Sequence, residues 1–162
     1  MKMKIVKLGD EFLAQNEEGK IFSKMKAIPT IPTREKYIIT YETSRTIGEI
    51  KRLRNSFGLY DLPRYTLSFD NKKEVTVRKD MEQFHSKYVI DGQYISIKGE
   101  FLGDVFSIYI KEKKYVTVRV EKNRNDFTFN LDISDEGMDE LLIGFIYILA
   151  LIYENEHYVV SV

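Results

Sequence analysis

The sequence predicts a mainly β protein: a closed antiparallel β-barrel whose strands enclose a hydrophobic C-terminal α-helix. Two observations carry that prediction. Ahead of Ser134 the chain is a succession of short alternating runs separated by turn residues, the signature of half-buried strands. Behind it, "LLIGFIYILALIY" (Leu141 to Tyr153) runs for thirteen apolar or aromatic residues in a chain that is otherwise 31% charged.

The strands announce themselves by their two-residue period. In "RYTLSF" Tyr65, Leu67 and Phe69 alternate with Thr66 and Ser68, and after "DNKKE" the run "VTV" puts Val75 and Val77 on one face, which reads as a hairpin. "KYVI", "DGQ" and "YISIKG" read as another. "VFSIYI", "KEKK" and "YVTVRVEK" set Phe106, Ile108 and Ile110 beside Val116, Val118 and Val120, and "DFTFNLDI" lines up Phe127, Phe129, Leu131 and Ile133. Aromatic-led strands begin near Phe12, Tyr37, Tyr65, Tyr88, Phe106 and Phe127, at intervals of 18 to 28 residues, each the size of one hairpin. Ile47, Ile50 and Leu53 in "TIGEIKRLR" break the period of two and predict a bulge. Two interruptions are expected: "AIPTIPTREK", whose prolines forbid a central strand, and the loop "NSFGLYDLP".

The helix is expected over about 135–154, within a single domain spanning 1–162 whose strands occupy 1–133. Ser134 or Asp135 can cap it, and Asp135, Glu136, Asp139 and Glu140 suit the partial positive charge of a helix N-terminus. An apolar run with no polar stripe needs cover on every side. A bilayer is a poor fit, because thirteen residues fall short of the ~20 that span hydrocarbon and no Lys or Arg flanks the run. Leaving the run exposed for a partner protein would cost about 1.5 to 3 kcal/mol for each large side chain in water. The chain's own strands, closed around the helix, both cover it and remove sheet edges.

Composition narrows the chemistry. With 162 residues, eleven Tyr and ten Phe, the chain can bury a real core. No cysteine is present, so disulfides, thiolate catalysis and Cys-type zinc sites are excluded. The opening "MKMKIVKLGDEF" lacks the apolar stretch of a secretory signal, and the expected location is the cytoplasm. Net charge is zero, yet residues 1 to 81 carry 17 Lys/Arg against 11 Asp/Glu, and residues 82 to 162 carry 8 against 14.

"DLPRYTLSF" (Asp61 to Phe69), "KYVIDGQYISIKGEFLGDVFSIY" (Lys87 to Tyr109) and "DELLIGFIYILALIY" (Asp139 to Tyr153), taken in that order, resemble bacterial members of the LURP-one-related family. That family belongs to the Tubby C-terminal-like superfamily and is similar to phospholipid scramblases. The resemblance implies a barrel of about 12 strands around a central hydrophobic helix. It also brings in phosphoinositide binding, known for Tubby itself, although no Tubby position maps residue by residue onto this chain. The scramblase likeness finds neither a cysteine cluster nor an EF-hand pattern here.

No catalytic constellation is legible. His85 and His157 stand 72 residues apart, and neither a metalloprotease, a nucleophile-elbow nor a P-loop motif occurs. The carboxylates after Ser134 could hold a divalent cation, but helix capping accounts for them, and no metal or cofactor is expected. "GEFLGD" reads as a strand junction rather than a dinucleotide loop. Residues 20 to 64 hold ten Lys/Arg against four acids, and Arg34, Lys36, Lys51, Arg52, Arg54 and Arg64 form the candidate anion site. The expected function is a non-enzymatic binding or interaction module. Its expected ligand is an anionic phospholipid at a membrane surface or another phosphorylated ligand, since Arg and Lys suit phosphate. Nucleic acid is not expected, because no exposed aromatics interleave with the basic residues. The alternative is a small-molecule carrier, or an enzyme of unknown chemistry.

Overall fold

The structure, a computed structural model, describes residues 1–30, 34–41, 45–54, 56–57, 60–70, 72–82, 85–100, 103–124, 126–134 and 139–160, with side chains at 56–57, 60–61, 81–82, 85–86 and 157–160 outside that description. The strands are β1 (Lys2–Leu8), β2 (Glu11–Asn16), β3 (Ile21–Ile28), β4 (Arg34–Tyr41), β5 (Thr46–Leu53), β6 (Ser56–Phe57), β7 (Tyr60–Asp61), β8 (Arg64–Phe69), β9 (Lys72–Glu82), β10 (His85–Asp91), β11 (Ile95–Gly99), β12 (Val105–Ile110), β13 (Lys113–Asn123) and β14 (Asp126–Ile133), followed by the helix α1 (Glu140–Val160). Twelve strands form one antiparallel sheet in the order β10-β9-β8-β5-β4-β3-β2-β1-β14-β13-β12-β11, rolled into a nearly closed barrel. β6 and β7 pair as a separate ribbon within the segment expected to be only a loop.

Alternation decides which side chains enter the barrel. Phe127, Phe129, Leu131 and Ile133 of β14 are buried, while the residues between them face outward or are half-buried; in β9 Val75 and Val77 are buried, and Thr76 on the opposite face is covered as well, at 5% exposed. The six aromatics of the expected hairpin repeat fall on β2, β4, β8, β10, β12 and β14, which is every second strand of the large sheet. The bulge expected near Ile47 is present. Ile39 pairs with Gly48 and Thr40 with Thr46, which leaves Ile47 as the extra residue. β1 joins the two ends of the strand region by pairing with β14, and the Met1 ammonium donates to the Ile133 carbonyl at 3.1 Å.

α1 fills the interior. Leu142 to Tyr153 are buried without a break, and Phe127 lies 4.6 Å from Tyr153, ring centre to ring centre. The cap is Asp139, whose carboxylate accepts the Leu142 amide at 2.8 Å. Ser134 instead extends the sheet, its amide donating to the Tyr115 carbonyl at 2.9 Å, and among the described residues its buried hydroxyl caps no amide. Asp135 and Glu136 lie outside the described residues. Glu140 ion-pairs with Arg45 at 3.2 Å. The helix also runs past Glu154, because the three polar residues that follow the apolar run each find a partner on the wall. Glu154 pairs with Lys7 of β1, Asn155 donates to the Tyr65 hydroxyl of β8 at 2.8 Å, and Glu156 pairs with Lys79 of β9 at 2.6 Å and accepts the Tyr88 hydroxyl of β10. Successive helix residues point about 100° apart, so these contacts fix the rotation of α1 within the barrel.

The hairpin expected from "KYVI", "DGQ" and "YISIKG" does not form. β10 pairs with β9 and β11 with β12, and no ladder links β10 to β11 among the described residues. The turn explains why. Gly92, Gln93 and Tyr94 all have positive φ (118°, 55° and 55°), one residue more than a two-residue hairpin turn uses. Gly92 sits against β9 so closely that a Cβ would lie 2.2 Å from the Glu74 carbonyl oxygen, and Gln93 donates to the Glu74 carboxylate at 2.9 Å. On the other side the Tyr94 carbonyl accepts the Lys111 amide at 3.1 Å. The turn therefore straps the two sheet edges apart.

Candidate anion-binding site

Register brings the basic residues together. Arg34 of β4 pairs with Leu53 of β5, Leu53 with Arg64 of β8, and Arg64 with Arg78 of β9, a single row crossing four strands. The neighbouring row, Glu35, Arg52, Tyr65 and Val77, faces inward, so the arginine row faces out. Arg34, Leu53, Arg54, Leu62, Arg64, Arg78, Lys79 and Asp80 line a cavity of about 480 Å³ over it.

The charges there are unevenly matched. Arg78 pairs with Asp80 at 2.9 Å, Arg54 reaches Glu35 at 3.4 Å, and the Lys79 ammonium is engaged by Glu156. Among the described residues no carboxylate pairs with Arg34 or Arg64. Arg64 and Arg78 sit directly opposite one another on neighbouring strands, an arrangement that destabilises a sheet unless an anion lies between the two guanidinium groups.

The other predicted residues are placed elsewhere. Lys36 and Lys51 occupy the next outward row and share Glu49, at 3.0 and 3.4 Å. Burial alone would raise the Glu49 carboxyl, but the hydrogen bond and charge of Lys36, with help from Lys51, hold it below the ordinary carboxylate value. Arg52 is a correction. No bulge intervenes between Lys51 and Leu53, so when Lys51 points out Arg52 points in, and it is 4% exposed. Its Nε donates to the Tyr65 hydroxyl at 3.0 Å and its Nη1 to Glu35 at 3.3 Å, while Glu35 also accepts the Tyr37 hydroxyl at 2.6 Å. Arg52 therefore belongs to a polar network at the C-terminal end of α1, where a cation also suits the helix dipole.

Arg78 and Lys79 are not legible as site residues from the sequence, because the apolar alternation that marks the strand ends at Val77. β9 continues past Val77, and its register across the turn sets Arg78 opposite Arg64. His85 falls at the start of β10 and His157 in α1, with side chains outside the described residues. Among the described residues no group of His, Asp and Glu side chains could hold a metal ion, and no helix is long and apolar enough to cross a membrane.

No curated protein matches the chain. Among solved structures, the X-ray structure of a protein from Arabidopsis thaliana has a similar fold, with a TM-score of 0.55 and 14% sequence identity over 96% of this chain and 90% of that one. The LURP-one-related family matches residues 1–151, all of the strands and the first half of α1. The chain belongs to the LURP-one-related family.

Proposed function

We propose that the barrel is a non-enzymatic binding module that holds a phosphorylated ligand on its outer wall, over the row Arg34, Arg64 and Arg78. The observation that carries this reading is the pairing of Arg64 opposite Arg78 beneath a cavity of about 480 Å³, with Arg34 and Arg54 at its margin. Guanidinium groups meet phosphate oxygens two at a time, and an anion shared by two facing arginines removes their mutual repulsion. Its most effective presentation is the headgroup of an anionic phospholipid, with the protein peripheral to a cytoplasmic membrane surface. The barrel interior, which a lipocalin-like carrier would keep vacant, is filled by α1. That favours the surface reading.

Flotation with vesicles of neutral lipid, and of neutral lipid doped with phosphatidylserine or a phosphoinositide, tests it. The wild type should float only with the doped vesicles and lose affinity as salt rises, because each surface cation contributes about 1 kcal/mol and is screened beyond ~8 Å. Arg64→Ala with Arg78→Ala should weaken binding about 30-fold, or roughly 2 kcal/mol, while Lys36→Ala with Lys51→Ala leaves most of it. Soluble inositol phosphate that binds as tightly as the doped vesicles would assign the site to free phosphorylated ligands. Equal binding by wild type and the arginine double variant would overturn the site.

A further inference from the structure

The seam between β10 and β11 has the chemistry of a second binding site. Among the described residues each of these strands has a ladder partner on one side only, and eleven antiparallel steps separate them around the sheet, so the two facing edges run in opposite directions. A cavity of about 650 Å³ lies between them, within the size range of ligand sites. Its walls are the successive residues Lys87 to Ile90 of β10 and Ile95 to Ile97 of β11. Side chains of a strand alternate between faces, so a cavity bordered by successive residues lies along the strand's edge, where amide and carbonyl groups project. Leu149, from the middle of α1, forms an apolar floor. At the inner end the Glu156 carboxylate is already engaged by Lys79 and Tyr88. At the outer end exposed lysines stand on both edges, Lys87 on β10 and Lys98 on β11.

We propose that this slot takes up an extended peptide segment of a partner protein, inserted as a strand between β10 and β11. The inserted strand is antiparallel to one edge and parallel to the other. Apolar side chains at alternate positions face Leu149, and an acidic residue meets Lys87 and Lys98. The backbone selects this occupant. An acyl chain matches the floor but offers nothing to the amides and carbonyls along both walls, whereas a peptide supplies donors and acceptors on each side. A second folded copy of the barrel cannot enter, because its strands each have a neighbour on at least one edge and the slot needs a strand free on both. The strap formed by Gly92, Gln93 and Tyr94, anchored to Glu74 on one side and Lys111 on the other, holds the slot open without a ligand.

The probe is a fluorescein-labelled peptide of alternating threonine and valine that ends in glutamate, titrated into the protein by anisotropy. A control replaces its threonines with proline, which cannot donate to a ladder. The alternating peptide should bind saturably and slow hydrogen exchange in β10 and β11, the proline control should not bind, and Lys87→Glu with Lys98→Glu should weaken binding by about tenfold or more. Ile97→Asp, at a half-buried wall position, should also weaken it, while Arg64→Ala with Arg78→Ala should leave it unchanged, which separates this site from the anion row. Equal binding by the proline control, no binding by either peptide, or slowed exchange of the two strands with palmitate in place of peptide would overturn the proposal.

Discussion

Gly144 of α1 lies against Leu67 of β8 so closely that a Cβ on the glycine would sit 2.7 Å from the Leu67 Cδ2. Contact at that range leaves no room for a side chain unless the leucine yields, and Leu67 is fully buried. Gly144→Leu should therefore destabilise the fold by about 1 to 3 kcal/mol or more in urea titrations, despite the better helix propensity of leucine. Adding Leu67→Ala should recover a large part of that loss, since the pair then exchanges volume across the same contact. Strict additivity of the two changes would mean that the helix does not touch β8 here.

Arg52 and Lys51 are neighbours with opposite roles, and stability separates them. Arg52→Ala removes a buried cation from Glu35 and Tyr65 and should cost about 2 to 4 kcal/mol. Lys51→Ala, an exposed position, should stay within about 0.5 kcal/mol of wild type. Chemical denaturation decides it, and equal costs would return Arg52 to the surface.

Alkaline pH should unfold the protein through its tyrosines. Burial raises the hydroxyls of Tyr37, Tyr65, Tyr88 and Tyr147 above their ordinary value of 10.0, with the Glu35 and Glu156 carboxylates adding to the effect at Tyr37 and Tyr88. A group whose folded-state value is raised stabilises the fold fully below its unfolded value and loses that contribution as pH climbs toward the folded one. Stability should thus fall above pH 10, with tyrosinate absorbance appearing together with the loss of β-sheet circular dichroism. Ionisation of all eleven tyrosines before any unfolding would contradict this.

The helix start is held by Asp139, and on that account it should need no metal. Asp139→Ala should cost about 1 kcal/mol, the usual contribution of a cap, and EDTA should leave the melting temperature unchanged. A drop of several degrees on chelation would make the carboxylates after Ser134 ligands instead.

The parts of this fold visible in the sequence are those written in local periodicity. Phe127 through Ile133 alternate cleanly because one face of β14 is buried in the barrel and the other is half-buried or exposed. The seam was invisible because pairing between β10 and β11 is decided by what the turn touches: Glu74 and Lys111 are distant in sequence and pull it in opposite directions. Charge clustering located Arg34, Arg54 and Arg64, but it could not distinguish Lys51 from Arg52, whose directions depend on where the bulge at Ile47 resets the alternation. Arg78 required register, which is counted across a hairpin and cannot be read from composition.

The pairing of β1 with β14 has a consequence for how the chain is made. β1 finds one of its two neighbours only after β14 has been synthesised, and the helix that fills the barrel follows later still. Until then the growing sheet holds an apolar face with nothing to lay it on, a state prone to aggregation and dependent on slow, long-range closure. The barrel gains its interior after its wall, so folding behaves as a race between synthesis of α1 and the misassembly of the strands that precede it.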